Sequence, residues 1–330
     1  MSKKSEILNC YRESGICLYE TPEINGLRQY IQIRGKSRTA PLMLFLHGGP
    51  GGSTAGLAHV MQTAWEQEYT VVNWDQRNTC KTFYANRAQA EAVAQSGTIE
   101  DYMADLEGVI AYLHSVYSFE KLILAGFSWG SVIGAEFAKR HPEQLACYVG
   151  IGQEVSYREG LSVSCAQLAE LTKDHPEDAA KIAAFAEAAA QAKEMDTAFL
   201  KQLQVFSMAG AKYIAKDAKP FPVRALFSSP FLRFREKLSM LRADPRLFAG
   251  TYRTLMAYDF RENLQFGVPV LFVTGDEDFI CPNSLLAACF DRIEAPAREN
   301  MVIPKASHLC FHDQPEEFLR ILTAFTRQYI

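Results

Sequence analysis

Lys121-Leu122-Ile123-Leu124-Ala125-Gly126-Phe127-Ser128-Trp129-Gly130-Ser131-Val132-Ile133-Gly134 is the stretch whose reading decides the fold. Its first five residues form a short apolar run suited to a buried strand. The residues after Ser128 carry helical spacing as far as Arg140. Strand, Gly-x-Ser-x-Gly, helix is the context of a turn that lifts a serine hydroxyl to its crest. The turn is too tight for bulky flanking side chains, hence a glycine on each side. The pentapeptide alone is a weak pattern, so the rest of the chain has to supply the chemistry.

Working outward, short apolar runs recur at Leu42 to Leu46, Thr70 to Trp74, Ala146 to Gly150, Val270 to Thr274 and Met301 to Ile303. Runs of this kind, bounded by Gly, Pro or Asp, suit central strands covered on both faces. Amphipathic segments at 99–117, 129–140, 283–292 and 315–328 alternate with them. The pattern predicts a mainly parallel, doubly wound α/β sheet. Residues 28–34 alternate like an antiparallel edge strand. Residues 153–265 break the rhythm with helical patterns, including the alanine-rich run from Ala179 to Ala190, and contain no convincing strand. They read as a helical cap inserted into a sheet domain made of 1–152 and 266–330.

Composition narrows the function. The chain has 330 residues, 48% hydrophobic and 22% charged, with a formal net charge of -4. Nothing in that balance suggests a nucleic-acid surface. The first ten residues lack the apolar core of a secretory signal, and no segment approaches a membrane span. Cysteines 10, 17, 80, 147, 165, 281, 289 and 310 show neither Cys-x-x-Cys nor metal-ligand spacing. They read as reduced thiols of a cytoplasmic protein, with Cys281 and Cys310 beside the loops of interest. No phosphate loop, dinucleotide fingerprint or metal site is present, so no cofactor is expected.

A serine hydroxyl needs an adjacent base, and the base needs a group that fixes its tautomer. The loop after Val270 to Thr274 reads Gly275-Asp276-Glu277-Asp278-Phe279-Ile280-Cys281-Pro282. Asp278 is favoured as the acid. Asp276 is the runner-up, with the alternative of bonding N–H groups of its own turn, and Glu277 is expected to face solvent. The base follows the last strand: His308 is favoured over nearby His312. His59, His114, His141 and His175 lie on helical or cap segments and read as surface or packing residues. Negative charge developing on a carbonyl oxygen needs waiting N–H donors. One is expected from Trp129, the residue after Ser128. The other is expected from His47-Gly48-Gly49-Pro50-Gly51-Gly52, with Gly49 preferred and Gly48 close behind.

Together with Trp74-Asp75-Gln76-Arg77, these pieces resemble the proline iminopeptidase family of α/β-hydrolases. The resemblance implies the α/β-hydrolase fold, a Ser128–Asp278–His308 triad and release of an N-terminal residue, often proline, from short peptides. Two departures stand out. Asn78-Thr79-Cys80 replaces the family's usual Gly-x-Gly, where Asn78 can adopt the left-handed conformation. Trp65, Trp74 and Trp129 all lie outside the cap, so the family's cap tryptophan–glutamate motif is missing. A free amine still needs a carboxylate in a partly dry site. Glu154, just past the strand ending near Gly150, is the candidate anchor. Asp75 and Arg77 read as braces for the glycine loop. The substrate is then a small peptide or a small acyl compound. An esterase using the same triad is the alternative, and a ligand-binding relic without turnover a remote one. Epoxide hydrolase and dehalogenase chemistry is disfavoured, because those relatives carry aspartate where this chain has Ser128.

Overall fold

A computed structural model describes residues 7, 8, 11, 13, 15–192, 194–214, 218–241 and 244–330; Cys10 lies outside the described residues. The strands are β1 (Ile16–Glu20), β2 (Glu23–Ile24), β3 (Leu27–Arg28), β4 (Ile31–Gly35), β5 (Leu42–Leu46), β6 (Thr70–Trp74), β7 (Leu122–Phe127), β8 (Leu145–Ile151), β9 (Val270–Gly275) and β10 (Arg298–Ile303). Eight form one sheet in the order β1-β4-β6-β5-β7-β8-β9-β10, while β2 and β3 pair separately. From β6 to β10 every neighbouring pair is parallel, whereas β4 runs antiparallel to both β6 and β1. Parallel strands all end at the same edge, so the loops after β5, β7, β8, β9 and β10 are neighbours there.

The strands are apolar on both faces because both are covered. Along β5, Leu42, Leu44 and Leu46 join one buried cluster while Met43 and Phe45 join the other. Helix α1 (Cys80–Ala85) follows β6, and α2 (Ile99–Val116) and α3 (Trp129–Arg140) pack on the first cluster. Thr98 starts α2 with reciprocal bonds to Asp101, a capping box. Between β8 and β9 lie α4 (Tyr157–Thr172), α5 (Pro176–Gln191), α6 (Thr197–Gly210), α7 (Val223–Ser228), α8 (Phe234–Leu241) and α9 (Ala249–Ala257), with no β-strand among the described residues there. The chain closes through α10 (Asn283–Phe290) and α11 (Pro315–Thr326), whose Phe318 and Phe325 join the second cluster.

The segment 28–34 needs correction. It is not the edge: β4 is flanked by β6 and by β1, which the sequence pattern did not reveal. All five β4 residues are buried, including Arg34. Its guanidinium forks onto Glu66 (Nε to Oε1 2.7 Å, Nη2 to Oε2 3.2 Å) and donates to the Tyr19 hydroxyl at 2.8 Å. The two side chains are 1% and 0% exposed, so either charge alone would be stranded in a dry interior. Denaturant unfolding of Glu66→Ala is therefore expected to show a loss of roughly 3–5 kcal/mol, with Arg34→Met/Glu66→Leu recovering much of it. A single-variant loss below about 1 kcal/mol would contradict this account.

Candidate active site

The turn after β7 holds Ser128 at φ 53° and ψ -120°, a backbone conformation rarely adopted by non-glycine residues. Its N–H donates to Ile151 O at 2.9 Å, and its carbonyl accepts from the Ser131 hydroxyl at 2.6 Å. Trp129 opens α3, so its N–H has no partner within the helix and carries the positive end of the helix dipole. On the other side, Gly48 lies so near that a Cβ added to it would stand 3.0 Å from Ser128 Cβ. Gly49 has φ 118°, outside the range of ordinary side chains.

The glycine loop is anchored by polar groups. Gln76 is the main tie: its Nε2 donates to His47 O at 3.0 Å, its N–H to His47 Nε2 at 3.2 Å, and its Oε1 accepts from Trp129 Nε1 at 3.1 Å. With Nε2 accepting, Nδ1 carries the His47 proton toward Gly48 O at 2.8 Å. Burial lowers the His47 pKa to about 4, consistent with a neutral ring. Asp75 accepts from the Ser53 hydroxyl and, at 3.0 Å, from the Lys81 N–H, bracing the loop as expected. Burial raises its pKa to about 6. Arg77 departs from expectation. It turns away to Asp105 (2.8 Å), Asp101 (3.3 Å) and Ser96 (2.9 Å), and so fastens α2 rather than the glycine loop. Asn78 takes φ 56°, the left-handed conformation expected of it, and its amide donates to Ala90 O and Leu247 O.

At the loop after β9, Asp278 Oδ2 lies 2.8 Å from His308 Nδ1. Asp278 Oδ1 accepts the N–H groups of Ile280 and Cys281, both at 2.9 Å, which fixes the carboxylate. Asp276 is exposed and accepts the Ala306 N–H at 3.2 Å, so it ties two loops rather than its own turn. Glu277 does not simply face solvent. It is half-buried, and its Oε2 is buried with no hydrogen-bond partner. His312 stays outside this group, 3.4 Å from Pro220 O. The loop bearing His308 is fastened by Asp313, which accepts the Ser307 N–H at 2.8 Å and its hydroxyl at 2.5 Å. The imidazole packs against the Phe127 ring, centroids 4.8 Å apart, beside the Ser128 turn. No hydrogen bond joins the Ser128 hydroxyl to His308; such bonds often tighten only with substrate seated.

Glu154 belongs to the same group. It is 4% exposed, its N–H donates to Ser131 Oγ at 2.9 Å, and Oε2 accepts the Cys281 thiol at 3.6 Å. Burial pushes its pKa up to about 7, with the thiol and His308 pulling down and Asp278 pushing up. Cys281 thus bonds Asp278 through its N–H and Glu154 through its thiol, and the Ser128 hydroxyl is among the groups acting on that thiol. Among the described residues, no group of three or more His, Cys, Asp or Glu could hold a metal ion.

Gly152, Gln76, Ser131 and Asp313 escaped the sequence reading. The signals were present: Gln76 sits inside the quoted Trp-Asp-Gln-Arg run, and Gly152 lies two residues before Glu154. Gly152 has φ 53°, and a Cβ there would meet His308 Cε1 at 3.1 Å and Asp278 Oδ2 at 3.2 Å. Gly152→Ala is therefore expected to displace the His308–Asp278 pair, lowering kcat by about tenfold or more, roughly 1.4 kcal/mol of barrier, in a folded protein. Unchanged turnover would show that the pair does not depend on this contact.

The profile of the family described as "Serine aminopeptidase, S33" matches residues 37–315. A "Probable aminopeptidase YbaC" of Bacillus subtilis is 23% identical over 321 residues, covering 96% of this chain and 99% of that protein. Among solved structures, a proline iminopeptidase of Mycobacterium smegmatis superposes with a TM-score of 0.66 at 20% identity, covering 95% of this chain and 98% of that one. The carboxylesterase CesB of Bacillus subtilis superposes at 0.61 and 18% identity, covering 97% and 94%. The fold is that of the α/β-hydrolases.

Proposed function

Because the chain belongs to the serine aminopeptidase S33 family, we propose that it is a serine hydrolase releasing an N-terminal residue from short peptides through an acyl-enzyme. Residues 153–265 act as its cap and 1–152 with 266–330 as its core. Among the described residues the cysteines are free thiols, which supports a cytoplasmic enzyme.

In this reading, Ser128 Oγ attacks the scissile carbonyl as His308 Nε2 takes its proton. Asp278 holds Nδ1–H and stabilises the imidazolium. The oxyanion is met by the N–H groups of Trp129 and Gly49, a contribution of roughly 3 kcal/mol for each donor. His308 then protonates the leaving amine. Water, deprotonated by the same imidazole, releases the acid and restores Ser128.

One observation carries the aminopeptidase reading over simple ester hydrolysis. A buried carboxylate, Glu154, stands within the electrostatic reach of the His308–Asp278 pair, and among the described residues its side-chain hydrogen-bond partner is a thiol, with no Lys or Arg paired to it. Burial makes its charge costly until an ammonium arrives. The sign is definite. The Glu154 pKa, about 7 in the fold against 4.5 ordinarily, means the fold gains from a protonated carboxyl at low pH and loses that gain as pH rises through 7. Esterase action is the second reading, favoured by the fact that a protonated Glu154 suits an uncharged substrate.

The test is a panel of aminoacyl p-nitroanilides, their N-acetylated forms and a p-nitrophenyl ester, with wild type and Glu154→Gln. The expected result is turnover restricted to free amines among the anilides, with KM rising as pH falls below about 7. Glu154→Gln should raise that KM at least about tenfold and leave the ester within about threefold. It should also unfold at higher denaturant at pH 8, by on the order of 2 kcal/mol. Equal turnover of acetylated anilides, or brisk ester hydrolysis with no anilide cleavage, would reject the aminopeptidase reading.

A further inference from the structure

Away from the Ser128 edge, a cavity of about 470 Å³ opens where β3, α1 and the start of α8 meet. Among the described residues, Arg28, Lys81, Arg233 and Arg235 line it, and Glu236 is the one carboxylate in its lining. Glu236 is already engaged: it is 3% exposed, its Oε2 accepts the Arg233 N–H at 2.7 Å, and it lies 3.3 Å from Lys81 Nζ. Among the described residues the lining therefore keeps an excess of three positive charges, in a chain whose formal net charge is -4. The residues come from three distant segments, so this is a product of the tertiary fold rather than a basic run in the sequence.

Apart from Lys81, which pairs with Glu236, these cations are presented rather than paired among the described residues. Among the described residues, the guanidinium groups of Arg28 and Arg233 have no ion pair or hydrogen bond. The Arg28 backbone is held on both sides by Asn86, with its N–H and its carbonyl each in a 2.9 Å bond. Arg235 lies over the Tyr84 ring at 4.6 Å, and the Tyr84 hydroxyl donates to the Arg235 carbonyl at 3.0 Å. Lys81 stands over the Tyr30 ring at 4.9 Å. Aromatic faces thus steady two of the four cations without neutralising them.

Uncompensated like charges around one opening repel one another, and a bound anion relieves that repulsion. Planar guanidinium groups match the paired oxygens of a phosphate group, and an ammonium adds a point charge. The volume falls in the range of small-molecule sites. We propose that this cavity is a binding site for a small phosphate-bearing polyanion, held by Arg28, Arg233, Arg235 and Lys81. Their side chains lie outside the Ser128 site, which Lys81 touches only through its N–H on Asp75, so the proposal stands apart from the peptidase reading.

The test is calorimetric titration of the full chain with pyrophosphate at fixed ionic strength, with orthophosphate and citrate in parallel. Arg28→Gln/Arg233→Gln removes two exposed, unpaired charges. Lys36→Gln/Lys201→Gln removes two positive charges elsewhere as a control. Wild type is expected to show one saturable site, tighter for pyrophosphate than for orthophosphate or citrate. The cavity variant should weaken it at least about tenfold and the control by less than about twofold. Both variants should keep the wild-type Tm. Absence of saturable binding, equal weakening in both variants, or full affinity in the cavity variant would overturn the site. Citrate binding as tightly as pyrophosphate would overturn its assignment to phosphate.

Discussion

A Cβ on Gly126 would collide with the Gly130 carbonyl, and a Cβ on Gly130 with the Leu46 carbonyl at the end of β5. The turn after β7 is therefore closed as tightly as backbone permits, and Ser128 is left at positive φ. Such backbone costs of order 1–3 kcal/mol and persists only where surrounding structure over-determines it. Here the determinants are local: the Ile151 carbonyl on the Ser128 N–H, the Ser131 hydroxyl on the Ser128 carbonyl, and the Gly48 backbone packed against its Cβ. The parallel sheet completes the arrangement. Strands ending at one edge bring loops from positions near 48, 128, 152, 278 and 308 within contact of one another.

The polar groups at that edge divide by how they are satisfied. His47, Gln76, Asp75 and Asp313 have their hydrogen bonds within the protein, and they fix loops. Glu154 is different: it is buried and raised in pKa, and its recorded side-chain bond is a long one from a thiol. A carboxylate left this way reduces stability at neutral pH. Ser131 links the two classes, because its hydroxyl donates to the Ser128 carbonyl and accepts the Glu154 N–H. The Ser128 turn and the carboxylate are thereby built as one unit.

Much of this was legible in the chain. Leu42–Leu46 and Thr70–Trp74 coincide with strands, because buried parallel strands are apolar throughout and end at Gly or Asp. The starts of α2 and α11 coincide with the amphipathic segments that begin at 99 and 315. The edge was not. β1 carries a mixed pattern, and Arg34 in β4 reads as a surface residue until Glu66, distant in sequence, covers it. Arg77 was misjudged for the same reason, since its partners lie on α2. Periodicity reports which face of an element is buried; it does not report which distant polar group will meet a charge. Gly152 went unnoticed because its constraint comes from His308 and Asp278, which only the fold brings beneath it.

The proposed chemistry turns on Ser128 acting as a nucleophile activated by His308. Labelling with a fluorophosphonate, followed by peptide mapping, probes this step. One modified residue is expected, Ser128, with labelling abolished in Ser128→Ala and strongly reduced in His308→Ala. A folded protein that takes no label, or labelling that survives in Ser128→Ala, would contradict it.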